Sequence, residues 1–245
     1  MMNYADIHVH ILFGTDDGAD SEKQMQDMLD AAYADGVRFI CATPHFHPGY
    51  FGDKRNEINS AFTKLEVYAK KYNDLKLCLG NELRYSPNCL EWLNSGECKT
   101  INASRYVLTD FSESADADYI VTSVLTLLNA GYIPILAHAE RYESFHKDMR
   151  EIRKLQECGV LIQVDAQSPF GNWGKNAKKR SRKLIEHYFA DIIASDAHNL
   201  SERPPQMSGC YDYVAGKCGA GYAKKVFFDN PICIINDSDL GKELY

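Results

Sequence analysis

The segment YADIHVH, residues 4–10, decides how the rest of the chain is read. Polar and apolar residues alternate through it, the period-2 signature of a β-strand. Residues two apart on a strand point the same way, so Asp6, His8 and His10 share one face and both imidazoles can reach one ion. The strand runs into a loop carrying Asp16, Asp17 and Gly18. A capping box, Ser21-x-x-Gln24, then opens a helix with Met25, Met28, Leu29, Ala32 and Tyr33 on one side, and Gly36 stops it.

The same unit of strand, polar loop and amphipathic helix recurs outward from this segment. Further strands are expected at Val37–Thr43, Leu75–Glu82, Tyr106–Phe111, Ile133–His138, Val160–Asp165 and Ile192–Ser195. Helical faces lie between them, among them Ile58, Phe62, Leu65, Ala69 and Tyr72, and one carrying Met149, Ile152 and Leu155. Two helical stretches near Ser208–Gly216 and Ala220–Phe228 close the chain. Seven βα units imply a parallel sheet with right-handed crossovers. The pattern alone fits a closed barrel or an open doubly wound sheet. No linker rich in Gly, Pro or Ser divides residues 1–245, which read as a single domain.

The balance of 27 Lys+Arg against 34 Asp+Glu gives a net charge of −7, with 45% apolar and 25% charged residues among 245. These are ordinary globular proportions, and they exclude a disordered or collagen-like chain. The negative sign argues against general binding to nucleic acid or anionic membrane. No apolar run approaches the roughly 20 residues of a membrane span, and the start lacks the basic flank of a secretory signal. Eight cysteines without a CxxC pair read as reduced thiols, which suits the cytoplasm. One basic run, KNAKKRSRK at 175–183, reads as a solvated helix face; its functional alternative is a docking patch for an acidic tail or anionic lipid.

The chemistry collects at strand ends. In α/β barrels and open sheets alike, functional side chains sit just past the carboxyl ends of the strands. Here those ends carry His8 and His10, His45, Glu82, Asp110, His138, and Asp196 with His198, while Asp17 lies in the first loop. Five of the eight histidines lie at strand ends, His47 is two residues past one, and only His146 and His187 fall in expected helices. Imidazole with carboxylate suits Zn, Mn or Fe. About nine candidates exceed one tetrahedral site and point to two or three ions sharing carboxylates. Clustered carboxylates without cations would repel and take up protons, which itself argues for metal. Three divalent ions would bring roughly +6 against about −4 from the acids, giving a locally positive pocket in an acidic protein. Arg141, just past His138, and Arg203, just past His198, are placed to grip an anion with a planar fork. The expected reaction is phosphate ester hydrolysis by a metal-bridging hydroxide. His198 or His45 is the candidate general acid.

Laid out in this order, the chain resembles the PHP (polymerase and histidinol phosphatase) superfamily. Within it, the likeness is to the CpsB-like, manganese-dependent protein-tyrosine phosphatases of bacterial capsule and exopolysaccharide operons. The segments that carry it are DIHVHILFGTDDG (6–18), ATPH (42–45), GNELRY (80–85), SRYVLTDFS (104–112), HAERY (138–142), IASDAHN (193–199), RPPQM (203–207) and VFFDNP (226–231). The resemblance implies a distorted TIM-like (β/α)7 barrel with three metal ions, manganese first, with Fe or Zn as alternatives. It implies a first ion on His8, His10, Glu82 and Asp196, and a second on Glu82, Asp110 and His138. A third would take Asp17, His45 and His198, and Arg141 and Arg203 would hold phosphate. The implied substrate is phosphotyrosine on the tail of a membrane-associated bacterial tyrosine kinase, through which the enzyme would meet the membrane peripherally. Asp110 departs from the Glu expected there. His47 is a possible additional ligand. The loop Pro48–Lys54, with Tyr50 and Phe51, reads as a wall for an aromatic substrate or as a plain connection.

Three rival readings stand beside this one. Cys78 and Arg84 formally fit C-x5-R of cysteine-dependent phosphatases, but Cys78 lies inside an apolar strand pattern and Glu82 would face the phosphate. A small-molecule phosphoesterase, such as a histidinol-phosphatase, would keep the scaffold and change the substrate. A non-catalytic binding module would have only Asp110 in its favour. Oligomeric state is not legible.

Overall fold

The computed structural model describes residues 3–145 and 149–241. Nine strand segments run β1 Tyr4–Val9, β2 Val37–Ala42, β3 His45–Phe46, β4 Lys76–Leu79, β5 Glu82–Arg84, β6 Tyr106–Asp110, β7 Ile133–Leu136, β8 Leu161–Asp165 and β9 Ile192–Ala194. Every pairing is parallel, in the orders β1-β2-β4 and β3-β5-β6-β7-β8-β9.

A short strand, β3, follows the expected second strand, and the expected third strand is broken in two. Pro44, which lacks an N–H and restricts the residue before it, interrupts β2/β3. Gly80 interrupts β4/β5 where a Cβ would come within 3.0 Å of Ile101. Asn81 spans the gap: its Nδ2 donates to the Pro44 carbonyl at 2.9 Å and its Oδ1 accepts from the Lys99 N–H at 2.8 Å. Hydrogen bonds from Gly80 to Ala42 and from Glu82 to Pro44 carry the pairing across the break. The segments thus form seven staves. The last meets the first through a single bridge, Val9 to Ala197, with Asp196 N–H donating to the His8 carbonyl and His10 N–H to that of Ala197, each at 2.8 Å. Asp6 seals the same seam by accepting from the Ser195 N–H and hydroxyl. The result is the expected distorted (β/α)7 barrel.

Cys41, Cys78, Leu108, Ile135, Ile192 and Ala194, drawn from successive staves, meet in one buried cluster. A second shell packs Ile40, Ile162 and Ile193 with helix residues, including Met25, Met28 and Leu29 of Glu22–Asp35 and Ile58 and Leu65 of Arg55–Ala69. Ser21 caps the first helix as expected, but Gln24 reaches back to the Asp20 N–H rather than to that of Ser21. Gly36 ends that helix at φ 109°, where a Cβ would be strained. The chain closes with helices Ser208–Cys218 and Ala220–Lys224, a wide turn Lys225–Asp229 and a further helix Asn230–Ile235 begun by Pro231. The sequence pattern did not foresee that last helix, nor the short one at Cys89–Ser95. His146, assigned to a helix from sequence, lies outside the described residues.

Candidate metal centre

The carboxyl ends of the staves converge. His8 lies on β1, and His10 just beyond it is held by the loop that follows. Gly18 comes so close that a Cβ would lie 2.0 Å from the His10 carbonyl oxygen. That approach lets Asp16 accept from His10 Nδ1 at 2.7 Å and from the His45 N–H at 2.8 Å. β3 presents His45 and β5 presents Glu82 in register with it. β6 ends at Asp110, and His138 and Asp196 follow β7 and β9. These last two take left-handed backbones, φ 35° and 49°, unusual for residues with a Cβ and a form of strain that collects at functional sites.

Glu82 stands at the middle. Its Oε2 lies 3.3 Å from His8 Nε2, 3.1 Å from His10 Nε2 and 2.9 Å from His45 Nδ1, and its Oε1 lies 3.0 Å from His138 Nε2. Asp196 Oδ1 approaches the same two nitrogens of His8 and His10 at 3.2 and 3.4 Å. Asp110 Oδ1 is 3.5 Å from His138 Nε2. Asp17 Oδ1 is 3.5 Å from both His45 Nε2 and His198 Nε2. All nine sequence-identified residues are therefore brought together. Among the described residues, three sets of donor atoms lie close enough to surround a cation: His8, His10 and Glu82; His45, Glu82 and Asp110; and His10, Asp17, His45 and His198. His47 belongs to none of them and stacks on Tyr50 instead.

Tautomers test whether these residues fit a metal. Gln163 Oε1 accepts from the His138 N–H at 3.0 Å, so its contact with His8 Nδ1 at 2.9 Å places the proton on that nitrogen. His10 gives its Nδ1 proton to Asp16, and His198 gives its own to the Asp196 carbonyl at 3.0 Å. Each ring thus turns a bare Nε2 inward, and those of His8 and His10 face each other at 3.2 Å. Glu82 Oε2 and His198 Nε2 are buried without a hydrogen-bond partner. Lone pairs opposed in this way repel unless a cation lies among them. The charges agree. Burial alone would lower His8, yet Glu82 and Asp196 push it up to about 9, so a proton takes that nitrogen where no metal cation does. Burial would raise Glu82, yet the imidazoles of His45 and His8 hold it well below the carboxylate range. The cluster is built to hold positive charge, and imidazole with carboxylate fits divalent transition metals.

Beside it lie the two arginines. Arg141 Nη2 bonds Asp165 and Asp196, and Arg203 Nη2 meets the same Asp196 Oδ2 at 2.6 Å. Phe51 stacks on the His45 ring at 5.4 Å, while Tyr50 stands 76% exposed, so the Pro48–Phe51 turn borders the site.

A family model described as capsular polysaccharide synthesis, CpsB/CapC, matches residues 4–236. The chain belongs to the CpsB/CapC family. It is 37% identical to tyrosine-protein phosphatase CpsB of Streptococcus pneumoniae over 95% of its length and 98% of that protein's. It is 31% identical to tyrosine-protein phosphatase YwqE of Bacillus subtilis over 81% of this chain and 78% of that one. A solved structure among those of YwqE and CpsB, described as unique metal-dependent tyrosine phosphatases, superposes with a TM-score of 0.88 at 27% identity, covering 99% and 97% of the two chains.

This CpsB/CapC chain has site residues that the strand-end rule missed. Gln163 and Asp165 lie on β8, the one stave whose polar end was passed over. Gln163 Nε2 donates to Asp165 Oδ1 at 2.9 Å, so the pair links His8 to Arg141. The signal was present, since Asp165 closes the expected sixth strand. The basic run also differs from a bare solvated face. It lies on the helix Gly174–Glu186, where Arg180 donates to the Glu140 and Arg141 carbonyls and Arg182 to that of Pro169. These arginines brace the Arg141 loop, while Lys175, Lys179 and Lys183 remain exposed. The C-x5-R reading fails: Cys78 pairs in register with Cys41 within β4, and Arg84 is engaged by Asp110 Oδ2 at 2.6 Å.

Proposed function

We propose that this chain, acting as one domain, is a metal-dependent protein-tyrosine phosphatase. The observation that carries the reading is the convergence of inward-facing imidazole nitrogens on Glu82 beside a paired-arginine grip. We assign His8, His10, Glu82 and Asp196 to a first ion, Glu82, Asp110 and His138 to a second, and Asp17, His45 and His198 to a third. Manganese is the ion we propose from the family; the donor set also admits iron or zinc. Bound divalent ions would activate water and neutralise phosphoryl oxygens.

The chain's own residues do the rest. Arg141 and Arg203 hold phosphoryl oxygens and meet the charge that develops on them. Asp165 and Asp196 both hold Arg141 by its Nη2. Burial, with His10 alongside, lowers His198 to about 4, and its proton is committed to the Asp196 carbonyl, so it is a poor general acid near neutral pH. That suits a phenol leaving group, whose pKa of ~10 needs little protonation. Phe51 and Tyr50 offer an aromatic border for the substrate ring. The family's link to capsule synthesis supports a phosphotyrosine protein of that process as substrate, and we propose a bacterial tyrosine kinase tail met in the cytoplasm. Eight free thiols suit that compartment.

The test is turnover of a phosphotyrosine peptide against histidinol phosphate, with manganese, iron or zinc and with chelator. Preferred, chelator-sensitive hydrolysis of the peptide is expected. His138→Ala and Asp196→Ala should each cut kcat roughly 10²–10⁴-fold. Preference for histidinol phosphate would instead select the small-molecule phosphoesterase, and turnover insensitive to chelation would end the metal reading.

A further inference from the structure

Arg141 and Arg203 share more than Asp196. The Arg141 guanidinium carbon lies 3.5 Å from the centroid of the Trp173 ring, and that of Arg203 lies 4.8 Å from the same centroid. Two cations held this close repel, and the one indole attracts both. Trp173 also borders the cavity lined by Ser195, Asp196 and Arg203. The Nε–H groups of Arg141 and Arg203 are buried without a hydrogen-bond partner, although Arg141 itself is only 9% exposed. Two guanidinia that meet on one Asp196 oxygen, each with an unpartnered Nε–H, are arginines whose donor capacity their carboxylates do not exhaust.

The loop that carries Trp173 is tied to the loop that carries Arg203. Gln167 donates to the Gln206 carbonyl at 2.9 Å and Asn172 to that of Glu202 at 3.5 Å. Trp173 immediately precedes the helix Gly174–Glu186, whose Arg180 holds the backbone at Glu140 and Arg141. Both arginines are thereby referred to one rigid ring.

We propose that Trp173 is a positioning residue for phosphate recognition: its indole holds the Arg141 and Arg203 guanidinia in fixed planes, so that one oxyanion meets both. This rests on the reading of those arginines as the phosphate grip. Truncating the ring would free two long side chains, and phosphate would then bear the cost of ordering them.

The experiment compares wild type, Trp173→Ala and Trp173→Phe. The probe is inorganic phosphate, read as its inhibition constant against an aryl phosphate. The protein has two tryptophans, so a Trp92→Phe background also makes Trp173 its own reporter, and phosphate can be titrated by fluorescence without turnover. Trp173→Ala should weaken phosphate about tenfold and raise KM more than it lowers kcat, while Trp173→Phe should stay within about threefold of wild type. In Trp92→Phe, emission should saturate at the phosphate concentration that inhibits. A phosphate constant within twofold of wild type in Trp173→Ala would overturn the proposal. So would a Trp173→Phe as impaired as the alanine variant, or a Trp173 emission blind to phosphate. Should Trp173→Ala fail to fold, the phenylalanine variant and the fluorescence titration still decide. Loss of all aryl-phosphate turnover in wild type would defeat the phosphatase reading alone, because the fluorescence titration needs none.

Discussion

At His8, His10 and His198 one device recurs. Nδ1 is committed to an acceptor atom that is not itself one of the converging donors, so Nε2 is left bare toward the cluster. The acceptors are a side-chain amide, a carboxylate and a backbone carbonyl, and each fixes both tautomer and ring plane. Gln163 is the most exacting of them, because the same oxygen also takes the His138 N–H. Gln163→Leu keeps the size of the side chain and removes that oxygen. Metal affinity should fall roughly 10–100-fold, measured by titrating chelator-stripped protein; an unchanged affinity would show that packing alone orients the rings. The sequence named all nine clustered residues, eight by strand-end position and residue type and Asp17 from the loop after the first strand. The strand-end rule would have admitted Asp165, which closes a strand, but it could not name Gln163 or Trp173, which act on other side chains rather than as metal donors.

Elements matter here where the regular pattern fails. The breaks at Pro44 and Gly80 let β3 and β5 start afresh, and these two short segments bring His45 opposite Glu82. The Gly18 approach fixes the first loop in the same way. Gly18→Ala should cost at least about 3 kcal/mol in denaturant unfolding and lower activity in the surviving folded fraction, because backbone rather than a flexible side chain blocks the new methyl. A different joint links β8, β9 and the helix Arg150–Glu157. Asp191, just before β9, accepts from the Ile162 N–H at 2.9 Å and from Gln156 Nε2 at 2.8 Å. Burial pushes its carboxyl up to about 6 from 3.8. An acid raised on folding subtracts stability when ionised, so the penalty is full above about pH 6 and is relieved as pH falls toward 4. The stability of wild type relative to Asp191→Asn should therefore rise by about 1–3 kcal/mol between pH 7.5 and 4.5. Paired unfolding curves at the two pH values check this; a difference that stays flat would contradict it.

Across the whole molecule, the barrel's weakest seam is β9 against β1, closed by one bridge. The cluster spans that seam, since His8 and His10 come from one side and Asp196 and His198 from the other. Cations there would tie the seam as well as serve chemistry. Chelation should lower the thermal midpoint by roughly 5–15 °C, as expected for removing a ligand held at 100–1,000 times its Kd from a chain of this size. Readdition of manganese should restore it, and a midpoint indifferent to chelator would separate the cluster from the fold's stability. No helix among the described residues is long and apolar enough to cross a membrane. By itself the sequence determined the seven-unit parallel order and the ring of imidazoles and acids at the strand ends, because period-2 and period-3.6 patterning and side-chain direction are local properties of the chain. Tertiary structure decided what patterning left open: that the sheet closes rather than stays open, that Glu82 sits at the centre, and that Arg141 and Arg203 lie on one indole. Those facts depend on how residues far apart in the chain, such as Val9 and Ala197 or Arg141 and Trp173, are set against each other, and no local pattern encodes that distance.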